Sequence, residues 1–117
     1  MSRQIVIDAL LSGEVVLGHK ESGNSMNPLI KNKQPFDIHP VNADLLEKGD
    51  IVMVKVKGRV YTHKVTAVRK GQVQIGNNHG AINGWTDYKN VYGIITNVDG
   101  REIKNSLTKI KLKIEAV

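Results

Sequence analysis

The sequence predicts a single, mostly β domain that carries one short helix at its N-terminus. Three observations support this prediction. The length of 117 residues fits one domain with its own core. Short runs rich in valine and isoleucine recur along the chain, separated by Gly, Asn, Asp and Lys. Helical periodicity of apolar residues is convincing in the first dozen residues. We therefore expect a compact antiparallel β-fold over residues 1–117.

The predicted N-terminal helix covers about residues 2–12. Ser2 can cap its first turn, and Gly13 is suited to end it because glycine adopts the backbone conformation that follows many helices. Helical spacing places four apolar residues on one stripe, which we expect to face the core: Ile5, Val6, Ala9 and Leu10.

Six strands are predicted after the helix. They are Val15–Leu17, Phe36–Val41, Ile51–Val56, Val60–Val68, Val73–Ile75 and Val91–Val98. Lys57-Gly58-Arg59 is typical of a tight hairpin turn between two of them. The polar stretch 77–84 is predicted to be a surface loop. Leucine and isoleucine alternate with lysine over 107–114, which favours a final edge strand.

The composition narrows the function classes. The chain has no cysteine, and its four histidines are too scattered for a recognisable metal-ligand spacing, so neither a metal nor another cofactor is expected. No apolar run is long enough to span a bilayer, which predicts a soluble, cytoplasmic protein. The net charge of +6 is compatible with nucleic acid, but one Phe and one Trp provide few stacking platforms, so we do not favour that partner.

The segment Gly23-Asn24-Ser25-Met26-Asn27-Pro28 carries the strongest sign of chemistry. It places Ser25 between a flexible glycine and a proline that restricts the chain. Such a turn can present a hydroxyl outward, with its own backbone N–H close by. A lone serine in a polar turn is more often a simple turn residue, so a catalytic role for Ser25 needs support from other motifs in the chain.

Three motifs in order make the chain resemble the signal peptidase I and LexA-like serine peptidases. The serine motif is followed by Lys48-Gly49-Asp50-Ile51-Val52 and then by Thr62-His63-Lys64-Val65, so the resemblance covers about residues 15–98. It implies a β-fold of the LexA and signal peptidase catalytic-domain type. It also implies that Ser25 is the nucleophile and that the residue matching the general base, a histidine in one branch, is His63.

The chemistry of the two candidate bases favours the same residue. An imidazole with an ordinary pKa near ~6.5 accepts a serine proton at neutral pH, whereas a lysine needs strong desolvation to do so. Neighbouring residues of a strand point to opposite faces, so we expect His63, and not Lys64, to face Ser25. Without the upstream motif, a half-buried structural histidine would be the ordinary interpretation.

The third member of the site is less clearly marked. In the histidine branch of the family a Gly-Asp-Asn segment follows the base strand, and this chain has Gly76-Asn77-Asn78 in its place. We assign the orienting role to Asp87, with Asn77 as the alternative. His19 is expected to be exposed on a strand, and His79 lies in the loop.

The function predicted from these residues is a serine endopeptidase that cleaves an extended peptide. Backbone N–H groups around Gly23, Asn24 and Ser25 are expected to hold the oxyanion. The alternatives are a catalytically inactive domain of the same fold that binds a protein, and a basic regulatory domain associated with nucleic acid. The sequence alone identifies neither the substrate nor the oligomeric state.

Overall fold

The computed structural model describes residues 2–107, and its strands form one open antiparallel sheet. The order of neighbouring strands is β1-β2-β7-β3-β4-β5-β6, and β8 pairs with β7. The elements are helix α1 (Arg3–Leu11) and strands β1 (Val16–His19), β2 (Phe36–His39), β3 (Ile51–Val56), β4 (Arg59–Arg69), β5 (Gln72–Gly76), β6 (Ile82–Asp87), β7 (Val91–Val98) and β8 (Arg101–Glu102). Short 3₁₀ turns occupy Ala43–Leu45 and Tyr88–Asn90. The predicted mostly β architecture with an N-terminal helix is confirmed.

Helix α1 begins and ends as its sequence predicts, but the face that it buries is rotated from the predicted one. The Ser2 hydroxyl accepts a hydrogen bond from the Ile5 backbone N–H at 3.3 Å, and Gly13 follows the helix with φ of 85°. The buried side chains are Val6, Ile7 and Leu10. The expectation that Ile5 faces the core is wrong, because 55% of its surface is exposed.

The sheet carries a hydrophobic cluster on each face, and β3 contributes to both. Ile51 and Met53 pack with α1 in the first cluster, whereas Val52, Val54 and Val56 pack in the second. Period-two alternation explains this division, since successive side chains of a strand point to opposite faces. A strand buried on both faces has a continuous apolar run in its sequence, as residues 51–54 of β3 do.

Close contact between α1 and the sheet depends on Gly93 of β7. A Cβ atom at this position would lie 2.7 Å from Ile38 Cγ2 and 3.1 Å from Leu10 Cδ2. No ordinary side chain fits there, so glycine allows the helix to reach the strands beneath it. The helix in turn covers the part of the core that supports Ser25.

The sheet curls so that the edge strand β6 approaches the central strand β3. Thr86 of β6 donates a hydrogen bond from Oγ1 to the backbone oxygen of Lys55 on β3 at 2.8 Å, although these two strands are not neighbours in the sheet. Strong twist of this kind is normal for antiparallel sheets.

Most predicted strands are present, with boundaries that differ by a few residues. Ile51–Val56 and Val91–Val98 agree with the prediction, and the predicted hairpin is confirmed: Lys57 and Gly58 have φ of 51° and 82°, as a two-residue turn requires. The loop predicted over 77–84 is too long, because β6 already begins at Ile82. From residue 108 onward, the predicted final strand lies outside the described residues.

Within residues 2–107, the helices fall short of the length and apolar character needed to cross a membrane.

Candidate active site

Ser25 lies in an irregular segment between β1 and β2 and is exposed to solvent. The segment is tied to the core by two apolar side chains. Met26 and Ile30 are 4% and 7% exposed and belong to the cluster beneath α1. Because Met26 is drawn inward, its neighbour Ser25 is left at the surface with its hydroxyl accessible.

His63 faces Ser25 from strand β4. The distance between His63 Nε2 and Ser25 Oγ is 2.9 Å. Only 7% of the surface of His63 is exposed to solvent. Tyr61 stacks against the ring with centroids 4.8 Å apart, which restricts its rotation. Lys64 does not take this position, because its Nζ donates to Asn78 Oδ1 at 3.3 Å. The predicted geometry, with His63 rather than Lys64 at Ser25, is confirmed.

The other ring nitrogen of His63 contacts a residue that the sequence did not single out. Nδ1 lies 2.7 Å from Asn83 Oδ1. The expectation that Asp87 makes this contact is wrong, since Asp87 Oδ1 accepts a hydrogen bond from Gln72 Nε2 at 2.9 Å. Asp87 is four residues further along β6, or ~13 Å in an extended strand. Asn77 does not contact the ring either; its Oδ1 accepts from the backbone N–H groups of His79 and Ala81.

A β-bulge explains why Asn83 reaches the histidine. On β5, Ile75 pairs with Gly84 and Gly76 pairs with Ile82, so Asn83 is the extra residue of β6 at this point. Bulges bend a strand and redirect a side chain, and they are frequent beside active sites. The sequence signal was the Asn83-Gly84 pair, in which Gly84 adopts φ of 136°.

These contacts fix the protonation pattern of the imidazole. Because Asn83 Oδ1 is an acceptor, Nδ1–H donates to it, and Nε2 is left to accept the Ser25 hydroxyl proton. Burial lowers the pKa of His63 below its usual value, while the hydrogen bond to Asn83 and the negative charge of Glu21 raise it in part. The histidine is therefore neutral at pH 7, as a general base must be.

The loop between β5 and β6 holds the Ser25 segment against the sheet. Asn78 donates its backbone N–H to the Ser25 carbonyl at 2.9 Å and its Nδ2 to the Asn27 carbonyl at 3.0 Å. His79 Nε2 lies 2.9 Å from the Asn24 carbonyl. Three backbone carbonyls around the candidate nucleophile are thus fixed by two residues of one loop.

The backbone around Ser25 supplies a smaller set of oxyanion donors than expected. The Gly23 N–H donates to Asn32 Oδ1 at 2.8 Å and is therefore already committed within the turn. Among residues 2–107, no acceptor pairs with the N–H groups of Asn24 and Ser25. Those two groups remain available to bind an anionic oxygen at the site.

A pocket of about 40 Å³ opens directly beside Ser25. Glu21 contributes a carboxylate to it, and that carboxylate is held by Arg3 and by His19, each 3.2 Å from Oε2. The expectation that His19 is exposed is wrong: it is 6% exposed and packs edge-on against Phe36. The pocket is lined by Glu21, Ser22, Gly23, Ser25, Met26, Ile30, Lys31, Phe36 and Thr62.

Glu21 is ionised at neutral pH. Burial alone would raise the pKa of its carboxyl group, but the hydrogen bond from His19, the Thr62 hydroxyl and the positive charge of Arg3 together lower it to about 2. Within the described part of the chain, no three histidine, aspartate or glutamate side chains gather as a metal site would require.

Comparisons of the chain with protein-family models, with curated proteins and with solved structures found no significant match.

Proposed function

We propose that this chain is a serine endopeptidase in which Ser25 is the nucleophile and His63 the general base. The observation that carries the proposal is the 2.9 Å approach of His63 Nε2 to Ser25 Oγ, with Nδ1 held by Asn83. A nucleophile, a base within hydrogen-bond reach and a third group that orients the base form the arrangement that activates serine in hydrolases. The resemblance of three sequence motifs to the signal peptidase I and LexA-like peptidases supports the same function and fold type.

In the proposed reaction, Ser25 Oγ attacks the carbonyl carbon of a peptide bond while His63 Nε2 takes the hydroxyl proton. The negative charge that develops on the carbonyl oxygen is bound by the N–H groups of Ser25 and Asn24. His63 then gives its proton to the leaving amine, and an acyl group remains on Ser25. Water, activated by His63 in the same way, releases the acyl group and restores the serine.

Asn83 orients the imidazole without contributing charge. A neutral amide at this position occurs in cysteine peptidases of the Cys-His-Asn type, so a carboxylate is not a requirement for such a site. Because Asn83 accepts from Nδ1–H, it keeps the productive tautomer in place. The imidazolium formed during the reaction is less stabilised than it would be beside a carboxylate. Burial lowers the pKa of His63, and the hydrogen bond to Asn83 offsets this lowering only in part.

Incubation of the protein with a diverse mixture of synthetic decapeptides, followed by mass spectrometry of the products, tests the proposal. We expect cleavage by the native chain and none by Ser25→Ala or His63→Ala. Ser12→Ala and His39→Ala are matched controls, since Ser12 ends the helix and His39 lies on β2. Peptide capture without Ser25-dependent cleavage would replace the enzyme proposal with that of a protein-binding domain.

A further inference from the structure

A second cleft, of about 410 Å³, opens where strands β4 and β5 meet the loop that follows β5. It is distinct from the pocket beside Ser25, because the two share no lining residue. Its volume lies in the range of pockets that hold small molecules. The residues that line it are Lys48, Gly49, Lys64, Val65, Thr66, Gln74, Asn77, Gly80 and Ile82.

The cleft carries positive charge that no acidic side chain balances locally. Lys48 and Lys64 line it, whereas no aspartate or glutamate of the described part of the chain does so. Neither lysine forms an ion pair with another described residue. Asp50 lies in the same turn as Lys48, but it is buried, and its two carboxylate oxygens accept the backbone N–H groups of Glu47 and Ser106. That carboxylate is therefore used within the fold.

The two amide side chains of the cleft are left with donors, because their oxygen atoms are already bonded. Asn77 Oδ1 accepts hydrogen bonds from the backbone N–H groups of His79 and Ala81 at 2.8 and 3.0 Å. Gln74 Oε1 accepts one from the Thr66 hydroxyl at 3.0 Å. The nitrogen of a side-chain amide carries two N–H donors and no acceptor. Asn77 Nδ2 and Gln74 Nε2 are thus available to a ligand that brings oxygen acceptors.

Lys64 also retains donors. Its Nζ donates to Asn78 Oδ1 at 3.3 Å, which is a long hydrogen bond to a neutral oxygen. An ammonium group has three donors, so two remain, and an anionic oxygen is a stronger acceptor than an amide. Two cations and two amide donors, supplied by separate segments of the chain, are the complement of an anion with several oxygens.

The size of the cleft and its apolar wall narrow the ligand class further. Ile82 lines one side, and 52% of its surface is exposed. A bare phosphate ion leaves this surface uncovered, whereas a phosphate attached to an uncharged group can cover it. Phosphate suits the polar side, because it offers more oxygens than a carboxylate and lysine binds it as a point charge.

We propose that this cleft binds a small phosphorylated molecule, with the phosphate held by Lys48, Lys64 and Asn77 and the uncharged part against Ile82. The proposal does not depend on the peptidase function, since neither Ser25 nor His63 lines the cleft. The site nevertheless adjoins the loop that holds the candidate nucleophile.

NMR titration of the backbone amides tests the proposal, with phenyl phosphate, inorganic phosphate and phenol as probes at constant ionic strength. We expect phenyl phosphate to cause saturable shifts at Gly49, Thr66 and Gly80. It should bind about five- to tenfold more tightly than inorganic phosphate, because its ring covers apolar surface. Phenol should cause no saturable shift at these positions. Ser25→Ala should bind phenyl phosphate as the native chain does.

Substitutions identify the residues that hold the phosphate. Lys48→Met and Lys64→Met should each weaken the binding of phenyl phosphate about three- to tenfold, and the double variant should abolish it. Asn77→Asp keeps an oxygen for the backbone N–H groups of the loop but replaces the free donor with a negative oxygen, so it should abolish binding too. Lys89→Met removes an exposed lysine outside the cleft and should leave binding unchanged.

Three results would overturn the proposal. One is the absence of saturable shifts in the native chain, and another is undiminished binding by the double lysine variant when its thermal unfolding is that of the native chain. Equal weakening by Lys89→Met is the third, because net charge alone would then attract the probe. Equal affinities for inorganic and phenyl phosphate would overturn the assignment to a phosphorylated molecule and leave a site for the free ion.

Discussion

The two partners of the candidate site are held in different ways. His63 lies on β4, which is paired with β3 on one side and β5 on the other, and the residue is 7% exposed. Ser25 lies in an exposed irregular segment that forms no strand pairs. The sheet therefore fixes the position of the base, whereas side chains and loop contacts fix the position of the nucleophile.

This difference indicates which part of the site a single side-chain substitution can displace. The backbone of β4 is held by ladders of hydrogen bonds that a single side-chain change does not break. The Ser25 segment depends on the buried Met26 and on the carbonyl contacts made by Asn78 and His79. We therefore expect changes in the loop after β5 to impair the site with little effect on folding.

The largest expected effect concerns the two partners together. Ser25→Ala and His63→Ala should each lower kcat/KM by at least about 10³-fold, and the double variant should be hardly worse than either, because a nucleophile and its base act as one unit. The measurement is peptide cleavage by all three variants. Additive losses in the double variant would mean that the two residues act separately.

Removal of the Asn78 side chain should have the next largest effect. Asn78→Ala deletes the hydrogen bond to the Asn27 carbonyl and the contact with Lys64, so the Ser25 segment loosens. We expect kcat/KM to fall about ten- to a hundredfold, since small displacements of a nucleophile are costly. The free energy of unfolding should fall by about 1 kcal/mol.

Asn97→Ala is the matched control, because Asn97 lies on β7 and bonds to its neighbour Thr96. If the Asn78 variant is as active as this control, the Ser25 segment keeps its position without the Asn78 side chain.

Replacement of the orienting amide should move the pH profile. Burial keeps the pKa of His63 below its usual value, so cleavage should rise as pH rises through that lowered pKa and then level off. Asn83→Asp places a carboxylate at Nδ1, which favours the imidazolium and should raise the pKa by about 1 to 2 units. The midpoint of the profile should move upward equally, as NMR titration of the ring can verify.

Asp87→Asn is the control for this change, since Asp87 is bonded to Gln72 and not to the imidazole. A shift of the midpoint in this variant, with none in Asn83→Asp, would restore Asp87 to the orienting role.

The last prediction concerns stability alone. The pKa of Glu21 is about 2 when folded against 4.5 ordinarily, so this group stabilises the fold above pH 4.5, and the contribution is lost as pH falls toward 2. Glu21→Gln should cost about 1 to 2 kcal/mol at pH 7, with allowance for solvent screening, and should flatten the dependence between pH 4.5 and 2. Denaturation of this variant and of Glu14→Gln, an exposed glutamate, measures the difference.

The sequence predicted the parts of the molecule that local pattern controls. Runs rich in valine and isoleucine identified β3 and β7, and the Lys57-Gly58 turn followed from backbone preferences. The opposition of His63 and Lys64 followed from the two-residue period of a strand. Each of these features depends on residues adjacent in the chain.

The features that sequence analysis missed depend on contacts between distant segments. Asn83 reaches His63 because of a bulge in the pairing of β5 with β6, and register cannot be deduced from one strand alone. We assigned the orienting role to Asp87 because carboxylates commonly orient a histidine, but Asp87 lies too far along β6 to reach His63. His19 is buried against Phe36 of β2, a contact that the residues next to His19 in the chain do not indicate.

Reaction with a fluorophosphonate is the most direct measurement of the central claim, because it reports activation of Ser25 without knowledge of the substrate. Attack by Ser25 Oγ on phosphorus expels fluoride, and His63 takes the hydroxyl proton. We predict one adduct per chain at Ser25 by intact mass and peptide mapping, formed at a rate that rises with pH through the His63 titration. The rate should fall at least about a hundredfold in His63→Ala. Absence of an adduct at Ser25, or an equal rate in His63→Ala, would contradict the account.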